Sequence, residues 1–126
     1  MRTIAIAAVA ALAAALAVAV PALAGPAANP KLKATVGPGF TISMTTKPKK
    51  AGTYDIVVAD TSNIHDFHIS GPGLPAANTK KVKVATSVAK VGTFTLTNVK
   101  LQAGKTYRFV CDPHATSMKG SFKVPG

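Results

Sequence analysis

Short runs rich in threonine, valine, isoleucine and phenylalanine are the feature that most constrains the fold. Glycine, proline and asparagine interrupt them at regular intervals, as is typical between β-strands. No segment after residue 24 has a convincing apolar period of about 3.6 residues, so we expect little helix. The predicted strands are Ala34–Val36, Phe40–Thr45, Gly52–Ala59, His65–Ser70, Lys80–Thr86, Thr93–Asn98, Lys105–Cys111 and Gly120–Val124. This pattern predicts an all-β sandwich or flattened barrel of seven or eight strands.

The first residues have the pattern of a secretory leader. Arg2 is followed by an apolar stretch over residues 4–20 and then by Pro-Ala-Leu-Ala. A basic start, an apolar stretch and a small-x-small ending are typical of a signal peptide. We therefore expect residues 1–24 to be removed after Ala24, and the protein to be exported to the periplasm or outside the cell. An uncleaved membrane anchor is the alternative, although the stretch is short and rich in alanine for a span.

The remaining residues are enough for one domain. We expect residues 25–33 to form a flexible tail and residues 34–126 to form the folded unit. The whole chain has 15 basic and four acidic residues, a formal net charge of +11. Such a charge favours acidic partners, although a solvated basic surface without a particular partner is also consistent with it. Nucleic acid is not an expected partner, because the lysines are scattered without interleaved aromatic residues.

The only cysteine of the chain, Cys111, cannot form an internal disulfide. In an oxidising compartment such a thiol needs another chain, burial or a metal ion to protect it. His114 and Met118 follow within the next seven residues. A thiolate, an imidazole and a thioether are ligands that suit copper. The alternative is a buried thiol that packs as a small apolar group.

The alternation of side chains along strands indicates where a fourth ligand lies. Cys111 shares a face with Tyr107 and Phe109, and Met118 begins the apolar face of the following strand. These two sulfur atoms should therefore meet at one end of the core.

Two other histidines can supply the remaining ligand. His65 shares the apolar face of Phe67 and Ile69, whereas His68 shares the polar face of Asp66 and Ser70. We therefore predict that His65 is the ligand. A ligand role for His68 would need a bulge or a shifted strand.

Two segments resemble the cupredoxins, the small blue copper proteins that include plastocyanin, pseudoazurin and amicyanin. One is Asn-Ile-His-Asp-Phe-His-Ile-Ser-Gly-Pro-Gly at residues 63–73, and the other runs from Tyr107 to Phe122 with the pattern Cys-x2-His-x3-Met. The resemblance implies an eight-stranded Greek-key sandwich that holds one type 1 copper ion. It also implies three equatorial ligands and one weak axial ligand, namely His65, Cys111 and His114, and Met118.

The resemblance further implies a non-enzymatic carrier of single electrons between Cu(II) and Cu(I). Its partner would be a redox protein such as a cytochrome or a redox enzyme, attracted through acidic groups by the basic side chains. We expect a monomer, in which His114 reaches the surface inside an apolar patch. The patch would consist of Pro72, Leu74, Pro113 and Ala115.

This chain departs from these cupredoxins in two respects. Three residues separate His114 from Met118, where plastocyanin and pseudoazurin have four and amicyanin has two. The first ligand histidine is followed by Asp66, where plastocyanin has asparagine. We expect the Asp66 carboxylate to accept a backbone N–H, and its charge to favour Cu(II) and lower the reduction potential.

Other classes of protein remain open from the sequence. A copper-handling protein would use the same ligands without transferring electrons. A zinc site would leave Met118 without a role. A cysteine hydrolase would need a substrate cleft beside Cys111 and His114, for which so small a domain has little room. A structural adhesion module with a buried thiol is the last alternative.

Overall fold

A computed structural model describes residues 10–126 apart from residues 12 and 24. Among these residues it contains seven strands in two sheets and one short 3₁₀ helix, so the predicted all-β class is confirmed. The strands are β1 (Lys31–Val36), β2 (Ile42–Met44), β3 (Gly52–Asp60), β4 (His68–Ser70), β5 (Gly92–Leu101), β6 (Thr106–Val110) and β7 (Lys119–Lys123). The 3₁₀ helix covers Asp112–His114.

Part of the predicted leader lies outside the described residues, including Ala24. Its described residues, 10–11 and 13–23, have no regular secondary structure. Within the described part of the chain, no helix is long and apolar enough to cross a membrane.

The two sheets enclose one apolar core. One sheet has the order β2-β1-β3-β5 and the other has the order β4-β6-β7. Strands β1 and β3 are parallel, and every other pair is antiparallel. The chain crosses between the sheets three times, before β4, before β5 and before β6, as in Greek-key sandwiches.

Strand pairing brings a defined set of loops to one end of the sandwich. The chain leaves β1, β3 and β6 at this end, which we call the upper end, and enters β2, β4, β5 and β7 there. The opposite end is the lower end. The upper-end loops therefore cover residues 37–41, 61–67, 86–91 and 111–118.

The first strand begins earlier than predicted. Because β1 starts at Lys31, residues 31–33 of the predicted tail belong to the sheet. The Asn29 side chain also donates hydrogen bonds to the side-chain oxygens of Asp55 and Asn98, both at 2.9 Å. Asp55 occupies a bulge in β3, where the register with β5 shifts. The end of the predicted tail is thus anchored at this bulge.

The strand predicted at Lys80–Thr86 is absent as a regular element. This segment divides its backbone hydrogen bonds between the two sheets, because Ile69 of β4 donates to Val84 and Lys83 donates to Thr97 of β5. One isolated bridge, between Ala85 and His68, is all the strand pairing it makes. The segment therefore closes one edge of the sandwich instead of joining either sheet.

Candidate metal centre

Three upper-end side chains meet at one point in the structure. Cys111 directly follows β6, His114 ends the 3₁₀ helix, and His65 lies in the loop between β3 and β4. Cys111 and His65 are buried, and His114 is half-buried. Each residue offers one ligand atom, and these atoms all lie within 4.8 Å of one another.

The three ligand atoms form a compact triangle. The Sγ atom of Cys111 lies 3.6 Å from Nδ1 of His65 and 3.6 Å from Nδ1 of His114. The two Nδ1 atoms lie 3.0 Å apart. The point equidistant from the corners of such a triangle is about 2 Å from each. Protein ligands bind metal ions such as zinc at about 2.0–2.1 Å for nitrogen and about 2.3 Å for sulfur, so one ion fits the triangle.

A hydrogen bond orients the His65 ring for this role. Its Nε2 atom lies 2.9 Å from the carbonyl oxygen of Gly39, which can only accept. The proton therefore sits on Nε2, and the lone pair of Nδ1 faces Cys111 and His114. Histidines that bind metals commonly have their second nitrogen held in this way.

Met118 closes the ligand loop against the strand that precedes it. Its backbone N–H donates to the carbonyl of His114 at 2.8 Å, and its carbonyl accepts from the N–H of Cys111 at 3.0 Å. The side chain is buried, with 1% of its surface exposed. With three residues between His114 and Met118, the loop therefore closes normally. The backbone hydrogen bonding between β6 and β7 continues as far as Cys111 and Met118.

The core beneath the ligands depends on a glycine at the start of β7. A Cβ atom on Gly120 would collide with the ring of Phe109, which stacks on Phe67 at 5.5 Å between centroids. Phe67 lies two residues after His65 and Phe109 lies two residues before Cys111. The stacked rings thus support two of the ligands from below.

Asp66 accepts the hydrogen bond that the sequence analysis expected. The backbone N–H of Asp112 donates to its Oδ1 at 2.6 Å. Its position is not the polar face that alternation predicted, because only 3% of the residue is exposed. Burial, followed by the proximity of the Asp112 carboxyl group, raises the pKa of Asp66 to about 6.

Burial also raises the pKa of the Cys111 thiol, so metal binding must displace a firmly held proton.

The other candidate histidine, His68, lies outside the triangle. It starts β4, and its Nδ1 donates to the Asp112 carboxylate at 2.9 Å and 3.1 Å. The structure therefore brings His65, and not His68, to Cys111 and His114. Strand alternation predicted this placement of His65 correctly, although His65 lies three residues before the start of β4.

Two exposed apolar residues beside the ligands were missed from the sequence. The Phe40 ring meets His65 and His114 edge to face, at 5.2 Å and 5.0 Å between centroids, while 63% of it is exposed. Ile64 is 50% exposed next to His65. The sequence pattern predicts that Phe40 begins a strand, although the preceding Gly-Pro-Gly indicates a turn.

The predicted apolar patch is correct at only one of its two segments. Pro113 and Ala115 are exposed in the ligand loop. Pro72 and Leu74 follow β4, which runs antiparallel to β6, so they lie at the lower end. The Tyr107 hydroxyl confirms this placement by donating to the Pro72 carbonyl at 2.9 Å.

Comparison with known proteins agrees with this geometry. The family model for copper binding proteins of the plastocyanin/azurin family matches residues 36–125. The chain belongs to the plastocyanin/azurin family. The solution structure of reduced rusticyanin is similar over 75% of each chain, with 29% sequence identity and a TM-score of 0.47. No curated protein sequence matches this chain.

Membership of the plastocyanin/azurin family identifies the metal as copper. The donor set agrees, because two imidazoles and a thiolate are the equatorial ligands of type 1 copper sites. When bound, the copper ion supplies one-electron chemistry between Cu(II) and Cu(I). The protein supplies a pre-arranged triangle of ligand atoms and excludes water from two of its three corners.

Proposed function

We propose that this protein carries single electrons, with His65, Cys111 and His114 as equatorial copper ligands and Met118 as the weak axial ligand. The observation that carries the proposal is the triangle of two Nδ1 atoms and one Sγ atom. Three donors in a plane with a distant thioether suit both oxidation states of copper. Four protein ligands would leave the copper ion no open coordination position for a substrate, which favours a carrier over an enzyme.

Fast electron transfer needs ligands that move little when the charge of the metal changes. The backbone of the ligand loop is tied at both ends, since Cys111 bonds to Met118 and Met118 bonds to His114. The His65 ring is held by Gly39, and Asp66 holds the backbone of Asp112. These bonds link three of the upper-end loops around the ligand atoms. We infer that the ligand positions are almost the same in both oxidation states.

The upper end offers a small apolar docking surface. Among residues 25–126, the large apolar side chains with high exposure are Phe40, Ile64 and Val91, and all three lie at this end. His114 is half-buried against the Phe40 ring and is the most exposed of the three equatorial ligands. Transient redox complexes use small contact areas, so a patch of this kind suits brief docking with electron exit through His114.

The basic residues are concentrated away from this surface. Seven lysines lie at strand ends or in loops of the lower end, namely Lys31, Lys47, Lys49, Lys50, Lys100, Lys105 and Lys123. The upper-end loops and strand starts contain only Lys90 and Lys119. The distribution does not support the idea that lysines steer an acidic partner onto the copper end. We infer that the redox partner, such as a cytochrome, docks mainly through apolar contact.

The leader pattern of residues 1–24 supports an exported protein. We propose that the domain works in the periplasm or outside the cell, where a metal ion protects Cys111 from oxidation. We also propose that it works as a monomer, which leaves the upper end free for partners.

Stopped-flow mixing of the reduced copper protein with an oxidised c-type cytochrome tests the carrier role. Phe40→Ser should lower the second-order rate constant roughly fivefold or more, because it removes the central apolar side chain of the docking surface. Lys47→Gln at the lower end is the matched surface control and should change the rate constant little. A copper-loaded protein that does not exchange electrons would instead favour copper handling.

A further inference from the structure

The outer face of the three-stranded sheet carries a cluster of cations and hydroxyl groups. Pairing places Ser70 of β4, Arg108 of β6 and Ser121 of β7 in one row across the sheet. Lys119 and Lys123 lie on the same face of β7, two residues on either side of Ser121. All five side chains are exposed. Residues at such diagonal positions lie about 7–8 Å apart, within reach of long side chains.

This cluster borders a depression in the protein surface. A cavity of about 450 Å³ is lined by Thr106, Arg108, Lys119, Gly120 and Ser121. Gly120 contributes only backbone to this lining, because its Cβ position faces Phe109 in the core. The cavity is large enough for a group the size of a phosphate ion, and its lining offers a guanidinium, an ammonium and two hydroxyl groups.

The positive charge of the cluster is not neutralised by the described part of the protein. Among the described residues, the one ion-pair contact joins His68 to Asp112. Asp112 is the first acidic residue after β6 in the sequence, and its carboxylate is already paired with His68. Arg108 therefore has no carboxylate partner. Placing three cations together without an acid costs free energy by repulsion, and binding an anion relieves it.

We propose that this face, the Arg108 face, binds a phosphate group. The guanidinium of Arg108 would bind two phosphate oxygens, as arginine forks do, while Ser70, Ser121 and Thr106 would donate hydroxyl hydrogen bonds. Lys119 and Lys123 would add charge from either side. A phosphate monoester carries about 1.5 to 2 negative charges at pH 7, so it matches three cations better than a carboxylate does. This site is independent of copper binding.

Titration of the Cu(I) protein with inorganic phosphate, followed by amide NMR shifts, tests the site. We expect saturable shifts at residues 106–108 and 119–121. Arg108→Gln should weaken binding about tenfold or more, because it removes a charge-assisted bidentate contact. Lys100→Gln removes one charge from an exposed position on the other sheet and should change affinity less than about twofold.

Either of two results with inorganic phosphate would overturn the proposal, and a third comes from acetate. One is the absence of saturable shifts at these amides, and the other is equal weakening in Arg108→Gln and Lys100→Gln, which would show general attraction to net charge. Acetate at matched ionic strength should bind more weakly, and equal binding would contradict the match to a doubly charged anion.

Vesicles separate the two sources of a phosphate group. If the phosphate group belongs to a lipid, vesicles of phosphatidylcholine with phosphatidic acid should bind the protein. Arg108→Gln should then abolish this vesicle binding. If Arg108→Gln leaves vesicle binding unchanged while phosphate shifts are lost, the site accepts soluble phosphate.

Discussion

The backbone N–H of Asp112 donates a 2.6 Å hydrogen bond to the carboxylate of Asp66. This bond joins the residue after one proposed copper ligand, His65, to the residue after another, Cys111. It links the loop between β3 and β4 to the loop between β6 and β7 through two residues that are 46 positions apart in sequence. It also places a buried negative charge beside the metal centre.

That charge should lower the reduction potential. Since a negative group near copper stabilises Cu(II) relative to Cu(I), Asp66→Asn should raise the potential by roughly 60 mV or more at pH 8, where the carboxylate is ionised. Asparagine keeps the acceptor oxygen for the Asp112 N–H. Cyclic voltammetry of the two proteins measures the shift.

Asp112→Asn is the matched control, because it removes the same charge from a side chain that is 52% exposed. Solvent screens an exposed charge, so its shift should be clearly smaller. An unchanged potential in Asp66→Asn would contradict the electrostatic role of this residue.

The proposed axial role of Met118 predicts shifts of opposite sign for two substitutions. Met118→Leu preserves the buried volume but removes the thioether, so Cu(II) loses a donor and the potential should rise by roughly 60 mV or more. Met118→Gln supplies a harder oxygen that favours Cu(II), and the potential should fall. Both variants should retain the visible absorption of the copper protein. Equal potentials in all three proteins would show that Met118 only packs in the core.

Gly120 should be intolerant of even a methyl group. In Gly120→Ala the added Cβ collides with the Phe109 ring, which is packed against Phe67 and cannot swing away. Overpacking of this kind costs about 1–3 kcal/mol of unfolding free energy. Urea unfolding of the metal-free protein measures it. Ser121→Ala, at the next and exposed position, is the control and should stay within about 0.5 kcal/mol.

Asp60 should destabilise the protein at neutral pH. It is 2% exposed, its Oδ2 has no hydrogen-bond partner among the described residues, and Oδ1 accepts from the N–H of Ser62. Burial raises the pKa of this carboxyl group above its usual value, although the Ser62 bond and the nearby His65 oppose the shift. The folded protein therefore holds a proton more tightly than the unfolded chain does. The resulting stabilisation is complete below pH 3.8 and is lost as the pH rises through the folded pKa.

Asp60→Asn should accordingly raise the Tm of the metal-free protein at pH 8, and the gain should shrink as the pH approaches 4. Thermal unfolding at pH 8, 6 and 4 measures this. A gain that does not depend on pH would point to packing instead of charge.

Local sequence patterns predicted that His65, Cys111 and His114 come together. The face shared by Tyr107, Phe109 and Cys111 is buried as expected, because alternation along a strand depends only on neighbouring residues. The same argument placed His65 near Cys111 and His114. Asp66 broke the alternation because it lies outside a strand, where its carboxylate finds a backbone donor.

Features that depend on strand pairing were not predictable in the same way. Phe40 packs beside the ligands because β1 and β2 deliver its loop to the upper end. Pro72 and Leu74 lie far from His114 because β4 runs antiparallel to β6. The segment predicted as a strand over residues 80–86 shares its bonds between two sheets, which no local propensity reveals. Contacts between distant parts of the chain determine all three.

The visible spectrum of the protein after addition of one equivalent of Cu(II) tests the central claim most directly. A planar set of two imidazoles and a thiolate should give an intense blue or green thiolate-to-copper band. The band should disappear in Cys111→Ser, whereas His68→Gln should keep it, because His68 lies outside the ligand triangle. A colourless copper-loaded protein, or a band that survives Cys111→Ser, would contradict the account.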